Sequence, residues 1–366
     1  MQMPQGIYLR KEVCHMSPNE MLAVMVDKER VIQVRASEIP VCGRSEVLVR
    51  VRCVGVCATD LHLYQGLQNH RVKFPIIPGH EWSGEVAAIG EAVSGFTVGE
   101  RVVGEVTIPC GTCPSCRKGN YNICPQRTEN GVFGRNGAAA EYIVVPSYAL
   151  HPFSPDLSFE EACLIEPTAV AYRSIEKLRV TPADHVLVVG AGPIGLLTVA
   201  VAKAFGASSV TLVDLRANRL EAGRRLGADH TIDLSIDDYR SKAMQATNGT
   251  MFNAIIEASG SAAAFESLLK MTAPGARICL VGIFERKPQI EANMIIRKDL
   301  EIYGSVSSPN VWRQAVAMVE QGKIPVREII THEYGLNEFE TALLQIENRD
   351  ASLIKAIVRP SPVSEV

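Results

Sequence analysis

A short apolar run, Val186-Leu187-Val188-Val189, leads into Gly190-Ala191-Gly192-Pro193-Ile194-Gly195, and a helical stretch from Pro193 to Phe205 follows. Few sequence features restrict a fold more. In the strand, turn and helix that G-x-G-x-x-G joins, the first glycine makes the tight turn. The second lets the backbone approach a pyrophosphate, and the third lets the helix pack close to the strand. The helix N-terminus then faces the phosphates. The run Val210-Thr211-Leu212-Val213 ends in Asp214, 19 residues after Gly195. A carboxylate there accepts hydrogen bonds from ribose hydroxyls and repels a 2′-phosphate, which favours NAD over NADP. Arg216 and Arg219 lie near enough to receive a phosphate, so tolerance of NADP stays open. The alternative is a glycine-rich turn that binds nothing. The strand, helix and acidic residue in register argue against it.

Further apolar runs at Ala254-Ile255-Ile256, Ile278-Cys279-Leu280-Val281 and Leu300-Glu301-Ile302-Tyr303 alternate with helical stretches, one over Ala217 to Leu226. Continuous apolar strands between helices predict a parallel sheet covered on both faces. Strand carboxyl ends border the ligand crevice in such sheets, so Ile283 and Val306 are candidates to line a nicotinamide pocket. The first third differs. Val31 to Val34, Glu46 to Val54, Gly84 to Val86 and Arg101 to Val103 read as short strands between glycine turns, which predicts a small barrel or sandwich. The fold class is α/β plus β. At 366 residues two domains are expected, and the tail, with a helix over Val311 to Glu320, is expected to return to the first of them.

Four cysteines, Cys110, Cys113, Cys116 and Cys124, follow C-x2-C-x2-C-x7-C spacing among glycines and prolines. Turn-rich spacers of this length let thiolates face one zinc ion in a closed, structural site. A disulfide pair, free thiols or a nucleic-acid-binding zinc knuckle are the alternatives. Only Arg117 and Lys118 are basic there, and the chain carries a net charge of −3 from 37 basic and 40 acidic side chains. That balance gives no electrostatic reason to expect nucleic acid or an anionic membrane as partner. The N-terminal residues show no hydrophobic signal core and no apolar run is long enough to span a bilayer, so a cytoplasmic protein is expected. Upstream of the cysteine run stand Cys57 and His80-Glu81. Taken separately, Cys57 reads as a core cysteine and His80 as a turn histidine as readily as metal ligands.

Their order adds to this. Gly55-Val56-Cys57-Ala58-Thr59-Asp60-Leu61-His62, then Gly79-His80-Glu81-x2-Gly84-x5-Gly90, then the cysteine run, Ile165-Glu166-Pro167 and the glycine loop resemble the zinc-dependent medium-chain alcohol and polyol dehydrogenases. The resemblance extends to sorbitol dehydrogenases and threonine dehydrogenases. The resemblance covers about Met21 to the C-terminus. It implies a GroES-like barrel catalytic domain at 21–167 and 308–366, with a zinc lobe at 109–125. A Rossmann NAD-binding domain at 168–307 interrupts it, and 1–20 forms an N-terminal extension.

It further implies two zinc ions per chain: a catalytic one at Cys57, His80, Glu81 and an exchangeable Glu166, and a structural one at the four cysteines. Thr59 and His62 match the family's proton relay, and Asp60 orients the ligands. Gly190, Gly192, Ile194, Gly195, Asp214 and Arg219 match coenzyme contacts. The expected activity is reversible oxidation of a secondary alcohol, a polyol or cyclitol, with hydride transfer to NAD. An amino alcohol such as L-threonine is the alternative substrate. A non-catalytic nucleotide-binding relative is the reading from another class. A homo-oligomer, dimer or tetramer, is expected.

Three departures bear on the substrate. Ala58 stands where the family usually has glycine. Gly304-Ser305-Val306-Ser307-Ser308-Pro309 lacks the arginine and aromatic residue of animal sorbitol dehydrogenases. Pro167 is followed by Thr168-Ala169-Val170 rather than the threonine-dehydrogenase pattern.

Overall fold

The computed structural model describes residues 19–67, 71–236 and 238–360. The expected extension at 1–20 therefore lies, up to residue 18, outside the described residues.

Residues 185–304 build a six-stranded, wholly parallel sheet. Its spatial order is His230–Asp233, Ser209–Asp214, His185–Val189, Phe252–Glu257, Thr272–Leu280, Glu301–Gly304. Numbered in sequence the strands run 3-2-1-4-5-6, so the order reverses beside His185–Val189 and opens a crevice at the strand carboxyl ends. The central strands are apolar on both faces because helices cover both. Val186, Leu187 and Val188 are fully buried, as are Leu196, Leu197 and Val201 of the helix Pro193–Ala204. The apolar runs name five of these strands. The sixth, His230–Asp233, is an edge strand with only Ile232 buried, so it carries no apolar run to announce it.

The second sheet is mostly antiparallel and uses both ends of the chain. Its order is Leu150–Pro152, Arg101–Gly104, Glu81–Ile89, Glu46–Val56, Lys355–Arg359, Ile330–Gly335, with Tyr142–Pro146 also paired to Glu46–Val56. In Glu46–Val56 the alternate residues Val47, Val49, Val51 and Cys53 are at most 1% exposed. The period of two thus sets one face against the core. Ala356, Ile357 and Val358 pair with Val56, Gly55 and Val54, so the C-terminal strand sits directly beside the start of the site described below. A hairpin, Glu20–Lys28 with Val31–Glu38, and a three-stranded sheet around 107–135 complete this part.

The helix Ile165–Leu178 joins the two sheets. It packs against strands of both, with Ile165, Ala169, Ala171, Ile175 and Leu178 buried. The segment 305–311 runs from the last parallel strand to the helix Trp312–Glu320. No helix among the described residues is long and apolar enough to cross a membrane.

Candidate active site and coenzyme crevice

The strand Glu46–Val56 delivers Cys57 to the N-terminus of a short helix, Ala58–Tyr64. Cys57, not Thr59, is the residue that caps this helix. The Asp60 carboxylate accepts the Cys57 N–H at 2.9 Å and the Gly79 N–H at 3.1 Å. It thereby ties the helix to the loop that carries His80, whose Nδ1 lies 3.5 Å from Asp60 Oδ1. Glu81 follows as the first residue of the strand Glu81–Ile89. The outcome is a convergence across sequence: ligand atoms of Cys57, His80 and Glu81 all lie within 4.8 Å of one another. His80 and Glu81 are buried, and among the described residues His80 Nδ1 has no hydrogen-bond partner. A buried thiol, imidazole and carboxylate facing one point fit a divalent ion of zinc's preference, and three protein ligands leave a position for substrate or water.

Glu166 stands outside that group of three, at the start of Ile165–Leu178. It is buried, and its carboxyl is pushed up to about 7, first by desolvation and then by the nearby Glu81 charge, against the pull of His80 and Lys355. Burial alone would depress the His80 imidazole, but Asp60 and Cys57 together hold it well above its ordinary value. Thr59 Oγ1 lies 3.8 Å from Cys57 Sγ. His62 stands one turn along the same helix face, partly exposed, and no direct hydrogen bond joins it to Thr59 among the described residues.

One residue of the site was not legible beforehand. Lys355, only 2% exposed, contacts the Glu81 carboxylate and donates to the Val56 carbonyl at 3.0 Å. Its ammonium resists desolvation because Glu81 and Cys57 raise its pKa. A charged residue opening an otherwise apolar strand, Lys355-Ala356-Ile357-Val358, is the only trace it leaves in the sequence.

The four-cysteine group is closed. Its sulfur–sulfur distances are 3.4 Å (Cys113–Cys116), 3.5 Å (Cys110–Cys124), 3.8 Å (Cys113–Cys124) and 3.9 Å (Cys110–Cys116). Tetrahedral zinc at about 2.3 Å from each sulfur places sulfurs about 3.8 Å apart, so the donor set matches. The thiols share charge unevenly. Backbone and hydroxyl donors on Thr112 pull Cys110 down to about 6, whereas burial and its neighbours push Cys116 up to about 12. None of the nine described cysteines is disulfide-bonded.

At the crevice, the three glycines behave differently. Gly190 has φ +97°, and a Cβ there would meet Ser259 at 2.9 Å. A Cβ on Gly195 would lie 1.8 Å from the Gly190 carbonyl oxygen, while one on Gly192 would meet nothing within 4 Å. Gly192 thus faces open space, the cradle a pyrophosphate would fill. A cavity of about 490 Å³ lies there, lined by Gly190, Gly192, Asp214, Arg216, Arg219 and Ser259 among others. Asp214 Oδ2 accepts the Ala191 N–H at 2.7 Å and Oδ1 those of Leu215 and Arg216 at 2.8 and 3.0 Å. Arg219 bonds the Leu353 carbonyl, and burial beside Arg216 lowers its pKa to about 10. Ile194 lies in the helix's first turn, whereas Ile283 and Val306 are 72% and 51% exposed beyond the carboxyl ends of the last two strands.

Comparison with known proteins decides the family. Residues 43–155 match the alcohol dehydrogenase GroES-like domain and residues 193–321 the zinc-binding dehydrogenase domain. Sorbitol dehydrogenase of Bacillus subtilis (strain 168) is 32% identical over 95% of this chain and 99% of its own. The chain belongs to the zinc-dependent medium-chain dehydrogenases. Within that family it is also similar to L-threonine 3-dehydrogenase of Chromobacterium violaceum, 33% identical over 82% of this chain and 89% of that one. A zinc-binding dehydrogenase structure from Sinorhizobium meliloti 1021, bound to NADP, superposes with a TM-score of 0.88 at 30% identity, covering 93% of this chain and 99% of that one. The dehydrogenase fold, zinc and a nicotinamide dinucleotide therefore describe this chain, as an alcohol dehydrogenase.

Proposed function

We propose that the protein reversibly oxidises a secondary alcohol of a polyol or cyclitol to a ketone, with NAD as hydride acceptor. The observation that carries this reading is the convergence of Cys57, His80 and Glu81 within 4.8 Å beside Glu166, on the helix that abuts both sheets. Those residues would hold a catalytic zinc, and the four cysteines a structural one. Zinc supplies Lewis acidity that lowers the pKa of the substrate hydroxyl. Asp60 fixes the ligand loop, and Lys355 fixes Glu81. The hydroxyl proton leaves by relay: Thr59 accepts it as it gives up its own toward His62, which stands one turn on, partly exposed, and hands it to solvent. Gly192 and the following helix N-terminus receive the pyrophosphate, and Asp214 the ribose hydroxyls. The catalytic domain is proposed as 21–167 with 308–366 and the coenzyme domain as 168–307.

The polyol reading is supported by the near full-length similarity to a sorbitol dehydrogenase. The similarity to an L-threonine 3-dehydrogenase favours an amino alcohol as the second reading. Formation of NADH over a panel of polyols, cyclitols and L-threonine separates them; turnover of L-threonine alone overturns the first. Among the described residues Glu301–Gly304 is an edge strand, and it offers that edge to a second copy in a dimer or tetramer.

Two outcomes are expected here. Asp214→Ala raises the KM for NAD about tenfold, the size of one lost charge-assisted hydrogen bond, and brings NAD and NADP closer together. Steady-state kinetics with both coenzymes checks it; an unchanged ratio removes Asp214 as the discriminating group. Cys113→Ser costs one of the two metals and at least about 2 kcal/mol of stability. Metal analysis and the thermal midpoint check that, and an unaltered midpoint argues against a structural ion.

A further inference from the structure

We infer that the four-cysteine lobe is a positioning device for the coenzyme: Asn122 and Tyr121 clamp the connecting segment 305–310, and with it Val306, at the nicotinamide end of the crevice. The inference rests on the proposed placing of the coenzyme along the strand carboxyl ends.

The connecting segment carries no helix or strand of its own. At its start it is fixed to the parallel sheet, where the Ser305 N–H bonds the Leu280 carbonyl at 2.9 Å. From there onward its partners are Thr107 and residues of the lobe. Asn122 Nδ2 donates to the Val306 carbonyl at 2.9 Å. Thr107 and Ser307 hydroxyls lie 2.8 Å apart. The Asn310 N–H donates to Tyr121 Oη at 3.0 Å, and Asn310 Nδ2 to the Gly119 carbonyl at 2.9 Å. Residues 119–122 thus supply three of these bonds, and they lie in the loop between Cys116 and Cys124, whose shape is set by closing the sulfur cluster.

The segment would not hold this shape unaided. Ser307 and Asn310 have φ of +57° and +66°, left-handed backbone that costs a non-glycine residue about 1 kcal/mol or more. Tyr121 is fixed in turn: its hydroxyl donates to Glu105 at 2.7 Å. Burial and that carboxylate raise its pKa, so it remains a protonated donor. The other Glu105 oxygen lies 3.0 Å from His151 Nε2, and the His151 ring stacks on Trp312 at 5.3 Å, where the next helix begins. The lobe therefore grips the connection at its middle and at its far end. Val306, half-exposed, follows the carboxyl end of the last strand by two residues, and Ile283 follows the end of the neighbouring strand. A lobe that only stabilised the fold would have no need to meet this stretch through three hydrogen bonds.

The test uses the full-length, zinc-loaded protein and two variants, Asn122→Ala and Asn310→Gly. The second keeps the left-handed backbone accessible and deletes only the amide. Dissociation constants are measured for NADH, which reaches Val306, and for ADP, which fills only the adenosine and pyrophosphate end. Each variant is expected to weaken NADH about five- to tenfold, the factor one neutral hydrogen bond commands, with ADP affinity within about twofold of the parent. Unchanged NADH affinity in both variants, or equal weakening of NADH and ADP, overturns the inference. If Asn122→Ala fails to fold, Asn310→Gly decides by the same ratio. Failure of the parent protein itself to bind NADH would instead count against the proposed function.

Discussion

Replacing Cys57 by alanine is expected to lower turnover by about four orders of magnitude or more while leaving the NADH dissociation constant within about twofold. The size follows from what the position holds. Polarisation of the substrate oxygen contributes several kcal/mol to lowering the barrier, and each 1.36 kcal/mol is about tenfold in rate. Cys57 is the only thiol in its group; His80 and Glu81 alone bind a soft divalent ion poorly. The dinucleotide cavity is lined by other residues, from the glycine loop and Asp214 to Ser259, so its affinity does not depend on that thiol. Stopped-flow turnover beside a fluorescence titration of NADH checks both halves. Parallel loss of coenzyme binding would show that the two regions are not separate in role. Retained turnover would remove Cys57 from the chemistry altogether.

Replacing Lys355 by methionine is expected to cost about 3–5 kcal/mol of stability. Met has nearly the length of Lys, so the packing around the stem is kept and the charge is lost. The Glu81 carboxylate, 2% exposed, then keeps its negative charge in the interior without its lysine partner. Removing one member of a buried pair carries that penalty because the other stays desolvated. The Val56 carbonyl also loses its donor. Urea denaturation of the zinc-loaded protein measures it. In protein stripped of zinc, the double variant Lys355→Met with Glu81→Gln should recover a large part of the loss, since no unpaired charge remains. A neutral result for the single variant would mean that a bound ion alone compensates Glu81.

How far the sequence announced this depended on how local each feature is. The four cysteines sit within fifteen residues, so spacing alone displayed their site. The parallel strands were legible because burial on both faces leaves continuous apolar runs. His230–Asp233 broke that rule at the sheet edge. The helix Ile165–Leu178 accepts Pro167 because it lies in the first turn, where a missing N–H costs nothing. The proposed catalytic group is drawn from 57, 80, 81 and 166, and no spacing rule joins those positions. The resemblance to a family did. Lys355 lay beyond even that, since its partner is 274 positions away and its neighbours read as an ordinary strand.

The pairing of Val54–Val56 with Ala356–Val358 has a consequence for biosynthesis. On the ribosome, residues up to 354 are made before the strand that pairs with Val54–Val56 exists. The parallel-sheet unit, whose strands are near one another in sequence, can form while its host is still unfinished. Until residue 355 leaves the exit tunnel, Glu81 has no lysine beside it and Val56 no strand neighbour on that side. A truncation of some fifteen C-terminal residues should therefore leave a nascent chain with an ordered dinucleotide unit and an open, aggregation-prone barrel.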